Sequence, residues 1–363
     1  MATYFIATSF GNNSIPNYYQ NLAKEFVKRG HTVVMILDGK ATSAVDTQSN
    51  PKQYTWPSSR PTTLKDAIFL YKLVKQYKPR YMLSNFGNVN MMTLVGWLGG
   101  VPYRAAWYQT LSEQITMDYT SFELKRTLQN IRKKFIFSLC TKVIPGSEYA
   151  KQDSMKMFSI PESKCHVLYN LLPNSLADRT YTKEKNKLVC VGRLHRSKAQ
   201  DVLIQAVALL VERFPTVKVE FLGAGSEEQR YKDLATSLGI SEHCVFSGQQ
   251  NMDVVYERMG TAEICVVPSH IDNFPTVSFE AQAVGTPVVV SNTGGIPETM
   301  REGVTGYCLP PNDPELLAEK IALILGDEVL AKEFSANARK FFLEELSYSK
   351  LSEHADYFES MDK

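Results

Sequence analysis

Residues 264–291 read ICVVPSHIDNFPTVSFEAQAVGTPVVVS. Two short runs rich in β-branched residues, Ile264–Pro268 and Pro287–Ser291, flank a helical pattern. That pattern starts at Thr276, with Pro275 near the first helical position, where its fixed φ suits the turn. Both apolar runs are nearly continuous and do not alternate with polar residues. A strand of that kind is buried on both faces, as in a parallel sheet covered by helices. The same alternation continues outward. Lys187–Val191, Val217–Leu222 and Val245–Ser247 read as further strands, and Asp201–Phe214 and Leu316–Leu325 as amphipathic helices. In the first half, Tyr4–Ser9 and Thr32–Leu37 read as strands around a helix that ends at Gly30. Leu64–Tyr77 and Tyr81–Ser84 add another helix and strand.

The expected fold is α/β, with two Rossmann-like doubly wound domains facing across a cleft. Open sheets of this type bind ligands at the carboxyl ends of their strands. The chain of 363 residues accommodates two domains at roughly 100–200 residues each. Residues 1–172 carry 21 Lys and Arg against 10 Asp and Glu, a net of +11, and residues 173–363 carry 19 against 28, a net of −9. This break supports a first domain over 1–172 and a hinge over 173–186, where Pro173-Asn174-Ser175 interrupts the pattern. A second domain follows over 187–335. Residues 336–363 close the chain as helix, expected to pack back on the first domain, and Ala331–Phe358 reads as continuously helical.

With 44% hydrophobic and 21% charged residues, the chain is neither disordered nor collagenous. Its longest nearly apolar stretch, Met91–Tyr103, is too short for a spanning helix, which needs about 20 residues. The N-terminus, Met-Ala-Thr-Tyr-Phe-Ile, reads as a first strand and not as a signal peptide. Six scattered cysteines without a C-x-x-C pair read as reduced thiols of a cytoplasmic protein. The basic first half calls for an anionic partner, a membrane surface or an acceptor, or for attraction between the two halves. Its charge is spread over 172 residues with no nucleic-acid-binding module, so nucleic acid is not expected. Phe122–Lys142 carries Lys125, Arg126, Arg132, Lys133, Lys134 and Lys142 among Leu124, Leu128, Ile131, Phe135 and Ile136. That pattern fits either a basic amphipathic helix on an anionic membrane or a surface helix with its apolar stripe in the core.

Five stretches carry candidate chemistry. Asp272 precedes Glu280 by eight positions, across the turn Asn273-Phe274-Pro275. The amides of Thr276 and Val277 open a helix, a natural anion site, and Glu280 lies about one turn in. Val191-Gly192-Arg193-Leu194 with Lys198 sets two cations after a strand, suited to a diphosphate. Leu222-Gly223-Ala224-Gly225, Phe246-Ser247-Gly248-Gln249 and Ser9-Phe10-Gly11-Asn12-Asn13 are turns after strands.

In this order the motifs resemble those of the retaining nucleotide-sugar glycosyltransferases of the GT-B fold, glycosyltransferase family 4. The matches are Gly30-His31-Thr32-Val33, Arg193 with Lys198, Gly223 with Gly225, Asp272 with Glu280, and Gly294-Gly295-Ile296-Pro297-Glu298. The resemblance implies transfer of a sugar from a nucleoside diphosphate, most commonly UDP, to a glycan or lipid-linked acceptor in surface polysaccharide synthesis. Arg193 and Lys198 would stabilise the leaving diphosphate, Asp272 would position the donor sugar and Glu280 would hold the ribose. Gly11, Gly192, Gly223, Gln249, Asn273, Phe274, Thr276 and Val277 would line the donor. No D-x-D occurs, so no cofactor or metal is expected. The implied location is cytoplasmic, peripheral on the inner membrane face.

The chain departs from the family pattern in four places, the smallest being Ala199 where Gly usually follows the Lys. Asp272 replaces the usual Glu, Pro275 removes one amide donor, and Gly100–Thr110, GVPYRAAWYQT, lacks the usual first-domain His. Tyr108 or Gln109 would stand in that place, or the donor phosphate would take the acceptor proton. His31 reads as a capping or packing residue, while His195, His270 and Glu298 are open between ligand contact and packing. Two rival readings remain: a nucleotide-sugar epimerase or hydrolase of the same fold, and a non-catalytic nucleotide-sugar binding protein.

Overall fold

A computed structural model describes residues 1–11, 13–38, 46–118 and 123–361, without the side chains of Glu123, Leu124, Lys125 and Arg126. Asn12 of the first glycine loop lies outside the described residues. The chain divides into two compact units: Met1–Ser112, Ser121–Leu171 and Lys350–Lys363 form one, and Glu113–Thr120 with Leu172–Ser349 form the other.

The first unit holds six parallel strands: β1 (Thr3–Thr8), β2 (Thr32–Leu37), β3 (Lys52–Thr55), β4 (Tyr81–Ser84), β5 (Tyr103–Tyr108) and β6 (Lys142–Pro145), in the order β3-β2-β1-β4-β5-β6. Its helices are α1 (Ser14–Lys28), α2 (Leu64–Tyr77), α3 (Val89–Leu98), the start of α4 (Ser112–Asp118), α5 (Glu123–Leu139) and α6 (Glu148–Phe158). The second unit repeats the plan with β7 (Lys187–Val191), β8 (Lys218–Leu222), β9 (Cys244–Gly248), β10 (Ile264–Val267), β11 (Val288–Ser291) and β12 (Gly306–Leu309), in the order β12-β11-β10-β7-β8-β9. Between them run α7 (Gln200–Leu210), α8 (Glu228–Ser237), α9 (Met252–Thr261) and α10 (Thr276–Ala283), followed by α11 (Pro314–Gly326) and α12 (Glu328–Phe341). The last helix, α13 (Leu351–Ser360), belongs to the first unit.

Burial explains the strand pattern. Ile264, Cys265, Val266, Val288, Val289 and Val290 are all buried, since helices cover both faces of the sheet. Cys265 pairs with Val288 and Val267 with Val290, so the quoted stretch is one β-α-β unit. The second unit's core gathers Leu203, Val207, Phe221, Val266 and Ile321. The first unit has a core around Phe5, Val34, Leu70 and Met92.

In each unit the strand order reverses once, between β1 and β4 and between β7 and β10. The loops leaving neighbouring strands then turn to opposite faces and open a crevice, where ligands of open α/β sheets bind.

Several expected boundaries move. Residues 173–186 and 336–349 both fall in the second unit, which runs from Leu172 to Ser349. The terminal segment is not continuously helical: α12 runs into a wide turn at Phe342–Leu346, Ser347 is extended, and α13 begins at Leu351. The cause is a local pairing in which the Leu172 amide donates to the Leu346 carbonyl and the Tyr348 amide donates back to Leu172. Helix α10 starts at Thr276 as expected, with Pro275 as its N-cap. The basic helix ends at Leu139, and Lys142 opens β6. All six cysteines are free.

Candidate functional site

The candidate cations and carboxylates of the second unit meet at its switch point, where β7 and β10 end. Beyond Val191, the Gly192 amide donates to the Leu222 carbonyl at 2.9 Å, and the Gly223 amide donates to Gly248 at 2.8 Å. These bonds tie the exits of β7, β8 and β9 together. The loops approach so closely that a Cβ on Gly223 would stand 2.0 Å from the Gly192 oxygen, and one on Gly225 would stand 2.1 Å from the Leu194 oxygen. Glycine at both places is therefore a requirement of packing.

After Leu194 the chain makes one 3₁₀ turn, Arg196–Lys198, and enters α7. The Ser197 carbonyl accepts the His270 amide at 2.9 Å, which joins this loop to the one leaving β10. Across that junction Lys198 Nζ forms an ion pair with Asp272 Oδ2. Asp272 is fixed by its surroundings. Its Oδ1 accepts its neighbour's amide, Asn273 N, at 2.9 Å, and its carbonyl accepts Gly295 N at 3.0 Å. Gly294, at φ +58°, crosses so near that a Cβ there would lie 2.0 Å from the Asp272 oxygen. The Thr293 hydroxyl donates to the His270 carbonyl at 2.9 Å. The Gly-Gly loop therefore braces the loop that carries Asp272.

Arg193 is half exposed, with Nη2 3.6 Å from Asp118 Oδ2. Asp118 also accepts the Ser197 amide at 3.1 Å through Oδ1. This carboxylate, at the end of α4, orients both the Arg193 side chain and the turn before Lys198. Sequence reading missed it, because nothing in Ser112–Asp118 marks one acid among ordinary helix residues.

Glu280 is buried in the second turn of α10, and Asp272 and Asn273 are buried nearby in sequence. Thr276 and Val277 supply the first two amides of α10, which have no partner within the helix. Phe274 is buried and packs its ring 5.2 Å from that of Phe279, so it anchors the loop in the core. Gln249 is exposed just beyond β9. Arg193, Lys198, Asp272 and the two glycine loops thus come together around one crevice of the second unit.

Gly11 belongs to the first unit, just beyond β1 at that unit's own switch point. There Asn85, after β4, donates to the Thr8 hydroxyl at 3.1 Å across the strand ends. Tyr108 does not offer a free phenol. It is buried and donates to Asp153 at 2.5 Å, and burial with that carboxylate pushes its pKa far up. Gln109 follows, with its Nε2 3.4 Å from both Tyr19 Oη and Asn170 Oδ1. His31 is a packing residue: its Nδ1 accepts the Ala2 amide at 3.1 Å, and its Nε2 meets Glu359 at 2.8 Å. Among the described residues, no group of three His, Cys, Asp or Glu is placed to hold a metal ion.

Comparison with known proteins identifies the family. An uncharacterised glycosyltransferase of Methanocaldococcus jannaschii is 29% identical over 225 residues, which are 58% of this chain and 57% of that protein. The chain spans 29% to 57% of the length of the curated relatives it matches. In fold it is similar to sucrose-phosphate synthase from Thermosynechococcus elongatus, at a TM-score of 0.81 and 18% identity over 99% of each chain. It is also similar to Anabaena HepE, solved in complex with UDP, at a TM-score of 0.79 and 17% identity over 99% of this chain and 100% of that one. Residues 15–173 match Glycosyltransferase Family 4, and residues 175–341 match Glycosyl transferases group 1. The chain therefore belongs to the GT-B-fold glycosyltransferases, with a family 4 domain followed by a group 1 domain.

Proposed function

We propose that the protein transfers a sugar, with retention of configuration, from a UDP-sugar to a hydroxyl of a glycan or lipid-linked acceptor in surface polysaccharide synthesis. The observation that carries this reading is the Lys198–Asp272 pair at the β7/β10 switch point, with Arg193 on the same loop. Anabaena HepE, with the same fold, is known in complex with UDP and with UDP-glucose, which supports UDP as the base-bearing half of the donor.

The residues divide the work by charge. A diphosphate entering at the strand ends attracts Lys198 and Arg193, and Arg193 is half exposed and able to reach it. As the sugar–oxygen bond breaks, negative charge grows on the leaving diphosphate, and two fixed cations stabilise that transition state more than the ground state. The amides of Thr276 and Val277 add dipoles toward the same charge. When Lys198 turns to the phosphate, Asp272 is left to accept hydrogen bonds from the donor sugar. Glu280 takes the ribose hydroxyls, and the loop through Gly223 and Gln249 takes the base. The acceptor proton passes to the departing phosphate oxygen on the same face of the sugar. Two cationic side chains supply the charge a metal would bring, so the proposed reaction is metal-independent.

We also assign to α5 a contact with the anionic inner face of the membrane. Leu128, Ile131 and Phe135 are exposed at helical spacing beside exposed Lys134. No helix among the described residues is long and apolar enough to cross a membrane.

The test is calorimetric binding of UDP, GDP and ADP, followed by release or transfer of sugar from the matching donor. The expected result is selective UDP binding with slow UDP-sugar hydrolysis, accelerated by acceptor. Selective binding with no turnover in the presence of acceptor extracts would make the protein a binder, and absence of nucleotide binding would overturn the site.

A further inference from the structure

The first unit contains a cavity of about 240 Å³ that the donor chemistry does not use. It lies between the end of β5, the start of α3 and one side of α5. At about 30 Å³ per water, it has room for about eight waters, or for one sugar-sized polar group. Phe86, Tyr108 and Phe137 supply apolar walls, and Arg132 and Lys133 supply two adjacent cations. Among the described residues no Asp or Glu lines it.

Among the described residues neither Arg132 nor Lys133 forms a salt bridge. Lys133 is partly buried, with its ammonium 5.6 Å from the centre of the Phe158 ring. Burial, then repulsion from Arg132, lowers the Lys133 pKa, against a partial pull from Asp153. Asp153 is itself committed to the Tyr108 hydroxyl and to the amide and hydroxyl of Ser112. Two cations kept together at the wall of a cavity favour an anion between them. Gln109 also lines the cavity.

We propose that this cavity receives a phosphate group carried by the acceptor. Arg132 grips it through the guanidinium fork and Lys133 through its point charge. The acceptor is then a phosphorylated sugar or a sugar on a lipid phosphate, and not a neutral glycan. This assignment of acceptor class rests on the transferase reading, but the anion site itself does not.

The experiment titrates hexose 6-phosphate, inorganic phosphate and free hexose into the full chain with UDP at saturation, so that the second unit's cations are occupied. We expect hexose 6-phosphate to bind, inorganic phosphate to bind more weakly and free hexose not to bind. Arg132→Ala and Lys133→Ala each weaken hexose 6-phosphate at least about tenfold, the scale of one charge-assisted contact. Arg132→Lys loses less than Arg132→Ala, because it keeps the charge and gives up the fork, and UDP affinity stays at the wild-type value in all three variants. Equal binding of free hexose, or phosphate binding unchanged in the alanine variants, overturns the site. Failure of UDP to bind while hexose 6-phosphate still binds would overturn the donor reading and leave this site standing. Addition of phosphorylated and neutral acceptors on short lipid tails separates a soluble from a lipid-borne phosphate, because only the preferred source becomes glycosylated.

Discussion

Lys198 and Asp272 neutralise each other across two loops that are joined by the His270 and Ile271 amides donating to the Ser197 carbonyl, so each governs where the other can go. Removing Lys198 takes away a cation from the leaving group and frees Asp272 to repel a diphosphate. Lys198→Ala and Glu280→Ala are each expected to cut turnover at least about tenfold, on the scale of one lost charge-assisted contact. Steady-state rates with UDP-sugar check this, and wild-type rates in both variants would remove these residues from the site. Gly294→Ala tests the brace directly. Its Cβ would collide with the Asp272 carbonyl at a φ of +58°, which side chains rarely adopt. We expect a loss of about 1–3 kcal/mol in stability by urea unfolding, on the scale of overpacking. UDP affinity should fall with it, because Asp272 moves with the loop. That Arg193, Lys198 and Asp272 lie on adjoining loops was legible in the sequence, because each sits at a fixed offset from a strand end. Asp118 was not legible, since its role depends on a contact with a distant loop. The Tyr108–Asp153 bond was hidden for the same reason, since Asp153 comes from α6.

At the scale of elements, long apolar strands declared themselves and short mixed ones did not. Lys52–Thr55 and Lys142–Pro145 have four residues each and begin with lysine, so neither carries a usable period. They become strands by pairing with β2 and β5. The break before α13 was likewise invisible, since it depends on Leu172 pairing with residues 346–348. Helix α13 returns to the first unit and packs on α1, with His354 Nδ1 2.8 Å from the Tyr18 hydroxyl. Burial, then the neighbouring His166 and Lys350, push the His354 pKa down to about 4. The unfolded chain, with its imidazole near 6.5, takes up this proton first as pH falls. Stability is therefore constant above about pH 6.5 with respect to this group, and it falls between about 6.5 and 4. The expected loss by pH 4 is on the order of 2–3 kcal/mol. Urea midpoints measured from pH 7.5 to 4.5 should show this slope in the wild type and a flatter profile in His354→Gln. Equal slopes would assign the acid sensitivity to other groups.

Charge is divided between the units as it is along the chain. The first unit carries 23 Lys and Arg against 12 Asp and Glu, a net of +11, and the second carries 17 against 26, a net of −9. The partition was legible because it needs only counting, although the unit boundaries differ from those expected at both ends of the second unit. A positive unit with an exposed apolar stripe on α5 has two separable terms for an anionic membrane. Leu128, Ile131 and Phe135 gain by leaving water, at about 25 cal/mol per Å² of apolar surface. Each lysine or arginine near an anionic surface adds about 1 kcal/mol, and this term decays within about 8 Å at physiological salt. Cosedimentation separates them. We expect binding to vesicles of phosphatidylcholine with about 30% phosphatidylserine, on the scale of a serine-rich inner leaflet. Raising the salt to about 0.5 M shortens the screening length and should release most of the protein. Vesicles of phosphatidylcholine alone should bind weakly at any salt, because the apolar stripe is small. Phe135→Asp removes the apolar anchor and introduces repulsion, so it should abolish cosedimentation while UDP affinity, held by the second unit, stays at its wild-type value. Undiminished binding by Phe135→Asp, or binding that ignores salt, would remove α5 from the membrane and leave its exposed residues as an ordinary surface.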